Sequence, residues 1–279
     1  GGQAVVGVVG QRDALVERHG EDKGIKLATH YARALPIGYI EEVSPERAVA
    51  DVEMAASMDD AHDMRLNLYR SQSRPDTLHF KVFRRSGDIA LSEVIPLLEN
   101  LGMKVLTEQL YEMDLPEGRL YIQDIAVRPA VRCAFDVEQI REAFQDGFEN
   151  VWRGAAENDA FNKLILGARL DWRQVGMLRG YCKYLLQTGV SFSQSYMEET
   201  LNRYPAIAGL LVELFEAGFD PARETADAAV LASARDRLAS ELGILVAPDL
   251  QKAHPHFVDD LVAARSRPRA EQIVALVVA

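Results

Sequence analysis

Two short stretches of this chain alternate apolar and polar residues one by one, while nearly everything around them repeats at helical spacing. Met64, Leu66 and Leu68 alternate with Arg65, Asn67 and Tyr69, and Leu78, Phe80 and Val82 alternate with His79, Lys81 and Phe83. A period of two places successive side chains on opposite faces of a strand. The turn-forming Ser71–Asp76 between the two stretches makes them a hairpin. A later pair repeats the signal: Met103, Val105 and Thr107, then Leu120, Ile122 and Ile125, flank the turn Leu115-Pro116-Glu117-Gly118.

Helical segments frame these strands. Ser44-Pro45-Glu46 opens one, with Ser44 as cap and Pro45 at the first position, where its missing N–H costs nothing. Ala48, Val49, Val52, Ala55 and Ala56 form its small-residue face. A second helix carries Val94, Leu97, Leu98 and Leu101, with Ser92 as cap, Pro96 in the first turn and Gly102 as stop. The order helix, strand, strand, helix, strand, strand predicts an α+β fold, a ferredoxin-like two-layer sandwich with both helices on one face of the sheet. Upstream, Gln11–Leu35 reads as a helical segment interrupted at Gly20 and Gly24 and ended by Pro36 and Gly38.

After Pro129 the strand signals stop. Asp136 with Gln139, and Asp171 with Gln174, are capping boxes, and Asn158 or Asp159 caps a further helix. Gly189 closes a helix, Ser193 caps the next with Phe192 and Met197 as a staple, and Pro205 starts another that ends at Gly218. Ala222–Leu242 is helical too. The expected organisation is an N-terminal helical segment over 1–43, an α+β domain over 44–130 and an all-α domain over 131–279.

The formal charge of -11 argues against nucleic acid and anionic membrane as partners. No apolar run approaches the roughly 20 residues that span a bilayer, and Ala4–Val9 lacks the basic flank of a secretory signal. Cys133 and Cys182 read as buried, reduced thiols, so a cytoplasmic location is expected. The chain starts Gly1-Gly2 and stops within the apolar run Ile273–Ala279, which suggests a piece of something longer.

Signals for catalysis are sparse. Val5-Val6-Gly7-Val8-Val9-Gly10 resembles a strand entering a glycine turn, but the dinucleotide fingerprint needs a third glycine where Val5 stands. His254 and His256 with Asp259 and Asp260 are read as a solvated loop, because no third ligand is fixed by spacing. Amino-acid dehydrogenation needs a lysine of lowered pKa inside a glycine-rich wall and a bound nicotinamide. None of the lysines, from Lys23 to Lys252, has that setting. No catalytic, cofactor-binding or metal-ligating residue is therefore assigned.

A resemblance adds to this reading. Val43-Ser44-Pro45-Glu46-Arg47-Ala48-Val49-Ala50-Asp51, Phe80-Lys81-Val82-Phe83-Arg84 and Leu91-Ser92-Glu93-Val94-Ile95-Pro96-Leu97-Leu98 come first. Val151-Trp152-Arg153-Gly154, Asp159-Ala160-Phe161-Asn162, Leu178-Arg179-Gly180-Tyr181-Cys182-Lys183-Tyr184-Leu185, Phe192-Ser193-Gln194-Ser195-Tyr196 and Leu214-Phe215-Glu216-Ala217-Gly218-Phe219-Asp220-Pro221 follow. In that order and spacing, from about Gln11 to Arg223, they resemble the region preceding the catalytic domain of the large bacterial NAD-specific glutamate dehydrogenases. The resemblance implies that the α+β unit is ACT-like and regulatory or scaffolding, without catalytic function of its own. It implies a parent enzyme that oxidises L-glutamate to 2-oxoglutarate and ammonium with NAD, as a homo-oligomer. The partners are then its own catalytic domain, other subunits and an amino-acid effector. The alternative is a freestanding amino-acid-binding or protein-interaction module. The corresponding effector turn is Arg85-Ser86-Gly87-Asp88, which reads more plainly as a strand–helix connection.

Overall fold

The computed structural model describes residues 2–59, 62–71, 74–130, 136–187, 192–219 and 228–246. They fall into two compact units, Gly1–Leu98 with Met103–Pro129, and Glu99–Gly102 with Ala130–Ala279.

The first unit begins with helices. α1 (Gly2–His19) takes in the Val5–Gly10 stretch that resembles a strand. A helix satisfies its own backbone, whereas a strand needs a neighbour, and the sheet here is built from later residues. Gly20, at φ 81°, breaks the chain into α2 (Glu21–Leu27), as expected. Gly24 does not interrupt anything; it lies inside α2, where α2 and α1 touch. A Cβ there would stand 2.5 Å from Val16 Cα and 2.7 Å from the Leu15 carbonyl oxygen. A π-helical turn (Ala28–Ala32) follows, then α3 (Ile37–Glu42) and α4 (Pro45–Ala56). Ser44 stands at the cap of α4, without a side-chain cap bond, and Pro45 is at N1. Ala48, Val49, Val52 and Ala55 are buried together with Asp51, while Ala56 faces out.

Strands β1 (Met64–Arg70), β2 (Leu78–Arg84), β3 (Met103–Leu115) and β4 (Gly118–Pro129) form one antiparallel sheet in the order β1-β2-β4-β3. Both expected hairpins are present, and β2 joins them by pairing with β4, Phe80 opposite Ile125 and Val82 opposite Gln123. One face presents Leu66, Leu68, Phe80, Val82, Ile125 and Val127. The other presents Phe83, Ile122, Tyr111, Met113, Leu115 and Leu120, and these share one core with Leu15, Tyr31, Tyr39, Val49 and Val52 of the N-terminal helices. Both faces are covered, so the polar members of the β2 alternation are not solvated.

The two helices expected on one face lie differently. Asp51 of α4 reaches the Lys81 face. The residue leading into α5 (Leu91–Asn100), Ile89, is bonded to the opposite face: its N–H donates to Gln123 Oε1 at 2.7 Å and its carbonyl accepts from Gln123 Nε2 at 2.8 Å. Ser92 does not cap α5. The helix starts one residue earlier, and the Ala90 carbonyl accepts from the N–H groups of Glu93 and Val94. Pro96 accordingly falls inside the helix rather than in its first turn.

The second unit is helical. α6 (Val137–Trp152), a 3-10 turn (Ala160–Lys163), α7 (Leu164–Gly167), α8 (Trp172–Gln187), α9 (Gln194–Arg203), α10 (Pro205–Phe219) and α11 (Ala228–Val246) follow one another. Asp136 caps α6 through Glu138 N–H, and Asp159 caps the 3-10 turn through Phe161 N–H. The Asp171–Gln174 box is reciprocal: Gln174 N–H donates to Asp171 Oδ1 at 2.8 Å and Asp171 N–H donates to Gln174 Oε1 at 2.9 Å. Ser193 Oγ accepts from Tyr196 N–H at 3.1 Å, and Phe192 stacks on Tyr196 beside the buried Met197. α10 extends one residue past Gly218. Gly189, Cys133 and the His254–Asp260 group lie outside the described residues.

Gly24→Ala is expected to lower stability by about 1–3 kcal/mol, because the new methyl meets the α1 backbone and not a movable side chain. Gly38→Ala, on α3 with open space around it, is the control and is expected to be neutral or slightly stabilising. Thermal unfolding of the two variants beside the parent chain measures the difference.

Candidate functional site

The densest group of buried ionisable side chains in the first unit sits where α3 and α4 cover the sheet. Lys81, at the centre of β2, is 1% exposed. Its Nζ donates to Asp51 Oδ2 of α4 and stands 3.6 Å from Asp124 Oδ2 of β4. Tyr39 of α3 donates its hydroxyl to the same Asp51 oxygen at 2.5 Å. Tyr69 of β1 donates to Asp124 at 3.1 Å, and His79 Nδ1 lies 2.7 Å from the other Asp124 oxygen. His79 stacks on Tyr69, and the Arg47 guanidinium covers that ring from above at 4.7 Å. Lys81 Nζ is thus framed by two carboxylates and by the rings of Tyr39 and Tyr69.

The sequence order explains the convergence. Residues 79 and 81 are the members of β2 that face the N-terminal helices, residue 124 lies opposite Lys81 in the β2–β4 register, and residue 51 is in the middle of α4. The two carboxyls respond differently. Burial raises the Asp51 carboxyl, and the Lys81 charge and hydrogen bonds only partly oppose it, so it stays above the usual carboxylate value. Burial also raises Asp124, but the hydrogen bond to His79 and the Lys81 charge outweigh it and hold that carboxyl below the usual value. The Tyr39 hydroxyl is pushed well above the ordinary phenol value by burial and by Asp51. Chemically this group is an internal charge lock. A lysine held by two acids keeps its proton and is poorly placed to act as a base.

The turn Arg85-Ser86-Gly87-Asp88 is not gathered around one point. Arg85 Nη2 turns towards Glu117 in the β3–β4 turn, at 3.6 Å. Ser86 Oγ accepts from Arg84 at 2.7 Å and lies 3.3 Å from Asp63 Oδ2. Gly87 takes φ 114°, a left-handed value that glycine tolerates, and the Asp88 carbonyl accepts from Arg84 at 3.4 Å. The signal that the alternation hides is the inward course of residues 79, 81 and 83. Lysine at an alternating polar position reads as solvated, and only Asp51 on a helix with an otherwise apolar face hints at a buried partner.

In the second unit Arg179 of α8 is buried and donates to both Asp159 oxygens, at 2.6 and 2.8 Å, and to Asn162 Oδ1 at 2.8 Å. Lys183 pairs with Glu157. Burial pushes the Cys182 thiol up to about 12. Among the described residues no group of His, Cys, Asp and Glu is placed to hold a metal ion, and no helix is long and apolar enough to cross a membrane.

Three successive segments match parts of one protein family. Residues 14–58 match glutamate dehydrogenase helical motif 2, residues 63–140 its ACT3 domain, and residues 156–221 its helical motif 3. The chain is also similar to proteins named NAD-specific glutamate dehydrogenase. It is 37% identical to the one from Halomonas elongata over 211 residues and 38% identical to the one from Pseudomonas aeruginosa over 212, each match covering 75% of this chain. Against the Mycobacterium tuberculosis protein it is 32% identical over 227 residues, 79% of this chain. In every case the chain spans 13% of the relative's length.

Asp51→Asn is expected to cost about 3–5 kcal/mol, because it leaves a buried ammonium with only the more distant Asp124. The double variant Asp51→Leu with Lys81→Met is expected to recover most of that loss in urea unfolding. Asp124 supplies a pH test. Its folded-state carboxyl lies below the unfolded value, so its contribution is present above about pH 4 and is lost as pH falls through the lowered value. Asp124→Asn is expected to flatten that acid limb in unfolding curves taken from neutral pH downwards.

Proposed function

Since the chain belongs to the NAD-specific glutamate dehydrogenase family, we propose that it is a regulatory and scaffolding region of a much longer enzyme. The parent oxidises L-glutamate to 2-oxoglutarate and ammonium with NAD, and the seat for the nicotinamide lies elsewhere in that enzyme. The observation that carries this reading is the identity of the matched segments, which are an ACT domain between two helical motifs. The setting of the lysines agrees with it. Lys81, the deeply buried one, is locked between Asp51 and Asp124, whereas dehydrogenation needs an amine able to exchange its proton beside a bound nicotinamide.

In this reading the ACT unit and its helical cover transmit state to the catalytic domain and to other subunits of a cytoplasmic homo-oligomer. The turn Arg85-Ser86-Gly87-Asp88 is the candidate place for an amino-acid effector. Its Arg85 supplies a guanidinium suited to a carboxylate. The helical second unit contributes packing surface, stiffened by the Arg179–Asp159–Asn162 network.

Glutamate-dependent NADH formation is the test. The full-length enzyme is expected to form NADH, and the 279-residue chain alone to form none at any glutamate concentration. Turnover by the chain alone would overturn the proposal. Within the full-length enzyme, Asp51→Asn is expected to change the response to added amino acids or the state of assembly, with the chemistry at the catalytic domain preserved.

A further inference from the structure

Glu117 occupies the tip of the β3–β4 hairpin, between the paired Leu115 and Gly118. Its carboxylate is nonetheless engaged by residues distant in the chain. His30 Nε2, from the π-helical turn, lies 3.0 Å from Glu117 Oε1, and Arg85 Nη2, just past the end of β2, lies 3.6 Å from the same oxygen. Tyr31 is buried beside them. Burial draws the Glu117 carboxyl up, but the hydrogen bond to His30, its own backbone and the His30 and Arg85 charges carry it below the usual value. The wide turn is itself informative, since π-helical turns are rare and frequent at functional sites.

The fit between Glu117 and Arg85 is incomplete. A guanidinium takes a carboxylate best through two parallel N–H bonds. Here a single oxygen is shared between His30 and Arg85, at a long distance from the latter. Arg85 Nε is shielded from water and has no acceptor among the described residues. The three side chains are each part-exposed, so a small anion can reach them from solvent. Beside them runs Asp63, whose carbonyl accepts from Arg85 N–H at 3.4 Å and whose carboxylate lies by the Ser86 hydroxyl. A cationic pair with an acid alongside matches a zwitterion better than a plain anion.

We propose that Arg85 and His30 form a recognition site for the carboxylate of a small α-amino acid, and that Glu117 is the internal carboxylate occupying it until the ligand displaces it. This rests on the regulatory reading above and names the ligand class and the device. Displacement frees the hairpin tip and ties the π-helical turn, within the segment matching helical motif 2, to the end of β2, within the ACT3 match. A ligand then alters how the helical cover is fastened to the sheet.

Hydrogen–deuterium exchange on the full-length protein tests it, with glycine and acetate as probes. Glycine is expected to slow exchange in residues 28–33 and 84–90. Glu117→Gln removes the competing charge and keeps the shape, and is expected to saturate at about three- to fivefold lower glycine. Arg85→Gln is expected to need at least about tenfold more. Acetate, lacking the ammonium, is expected to bind more weakly than glycine. Both substituted side chains are part-exposed, so unchanged thermal unfolding is expected and separates loss of binding from loss of fold. Glycine saturating both variants as it does the parent would overturn displacement while leaving the regulatory reading in place. No protection of these segments in any variant would overturn the site and the effector role of this turn together. Acetate binding as tightly as glycine would overturn the amino-acid assignment.

Discussion

Burying Lys81 is the constraint from which most of the first unit follows. An ammonium taken out of water must be met by charge and by hydrogen bonds, or the structure loses several kcal/mol. Asp51 has to come from the helix above the sheet and Asp124 from the neighbouring strand, so the position of α4 and the β2–β4 register are specified by one side chain. Tyr39 adds α3 to the same point, and Tyr111, whose ring meets Tyr39 edge-on at 5.1 Å and whose hydroxyl donates to Glu42 at 2.5 Å, adds β3. A purely apolar seam would pack as tightly but would tolerate sliding. An ion pair with one geometry does not.

The parts of this fold that were legible in the sequence are those written in local chemistry. Alternation at 64–69 and 78–83, the tight turn at 115–118, and the Asp171–Gln174 box each depend on neighbours within a few residues, and each appears where the pattern places it. What stayed hidden depends on what lies across the chain. Lys81 looks solvated because alternation reports two faces and not what covers them. Gly24 looks like a break because its real constraint, the α1 backbone, is a tertiary neighbour. Ser92 looks like a cap until Ile89 is seen fastened to Gln123, which sets where α5 begins. The family resemblance bridged that gap for identity and fold, while the charge lock emerged only from geometry.

The two faces of the sheet serve different needs. The face bearing Leu66, Phe80, Val82 and Ile125 is apolar apart from Gln123, whose amide is consumed by Ile89. The face under the N-terminal helices carries the ionisable groups: Lys81, Asp124, His79 and, at its rim, Arg85 with Glu117. Any signal that travels by charge through this unit is therefore confined to the face shared by the segments matching helical motif 2 and ACT3.

The strand order has a kinetic meaning. β1 with β2, and β3 with β4, are hairpins whose ends meet after short turns, so each forms from local contacts. A single non-local step, β2 meeting β4, completes the sheet. The entropy of closing such a loop grows only with the logarithm of its length. The stretch between β2 and β3, which includes α5, is thus where evolution has been able to lengthen or shorten this domain at little cost to assembly speed, whereas either hairpin turn admits almost no such freedom.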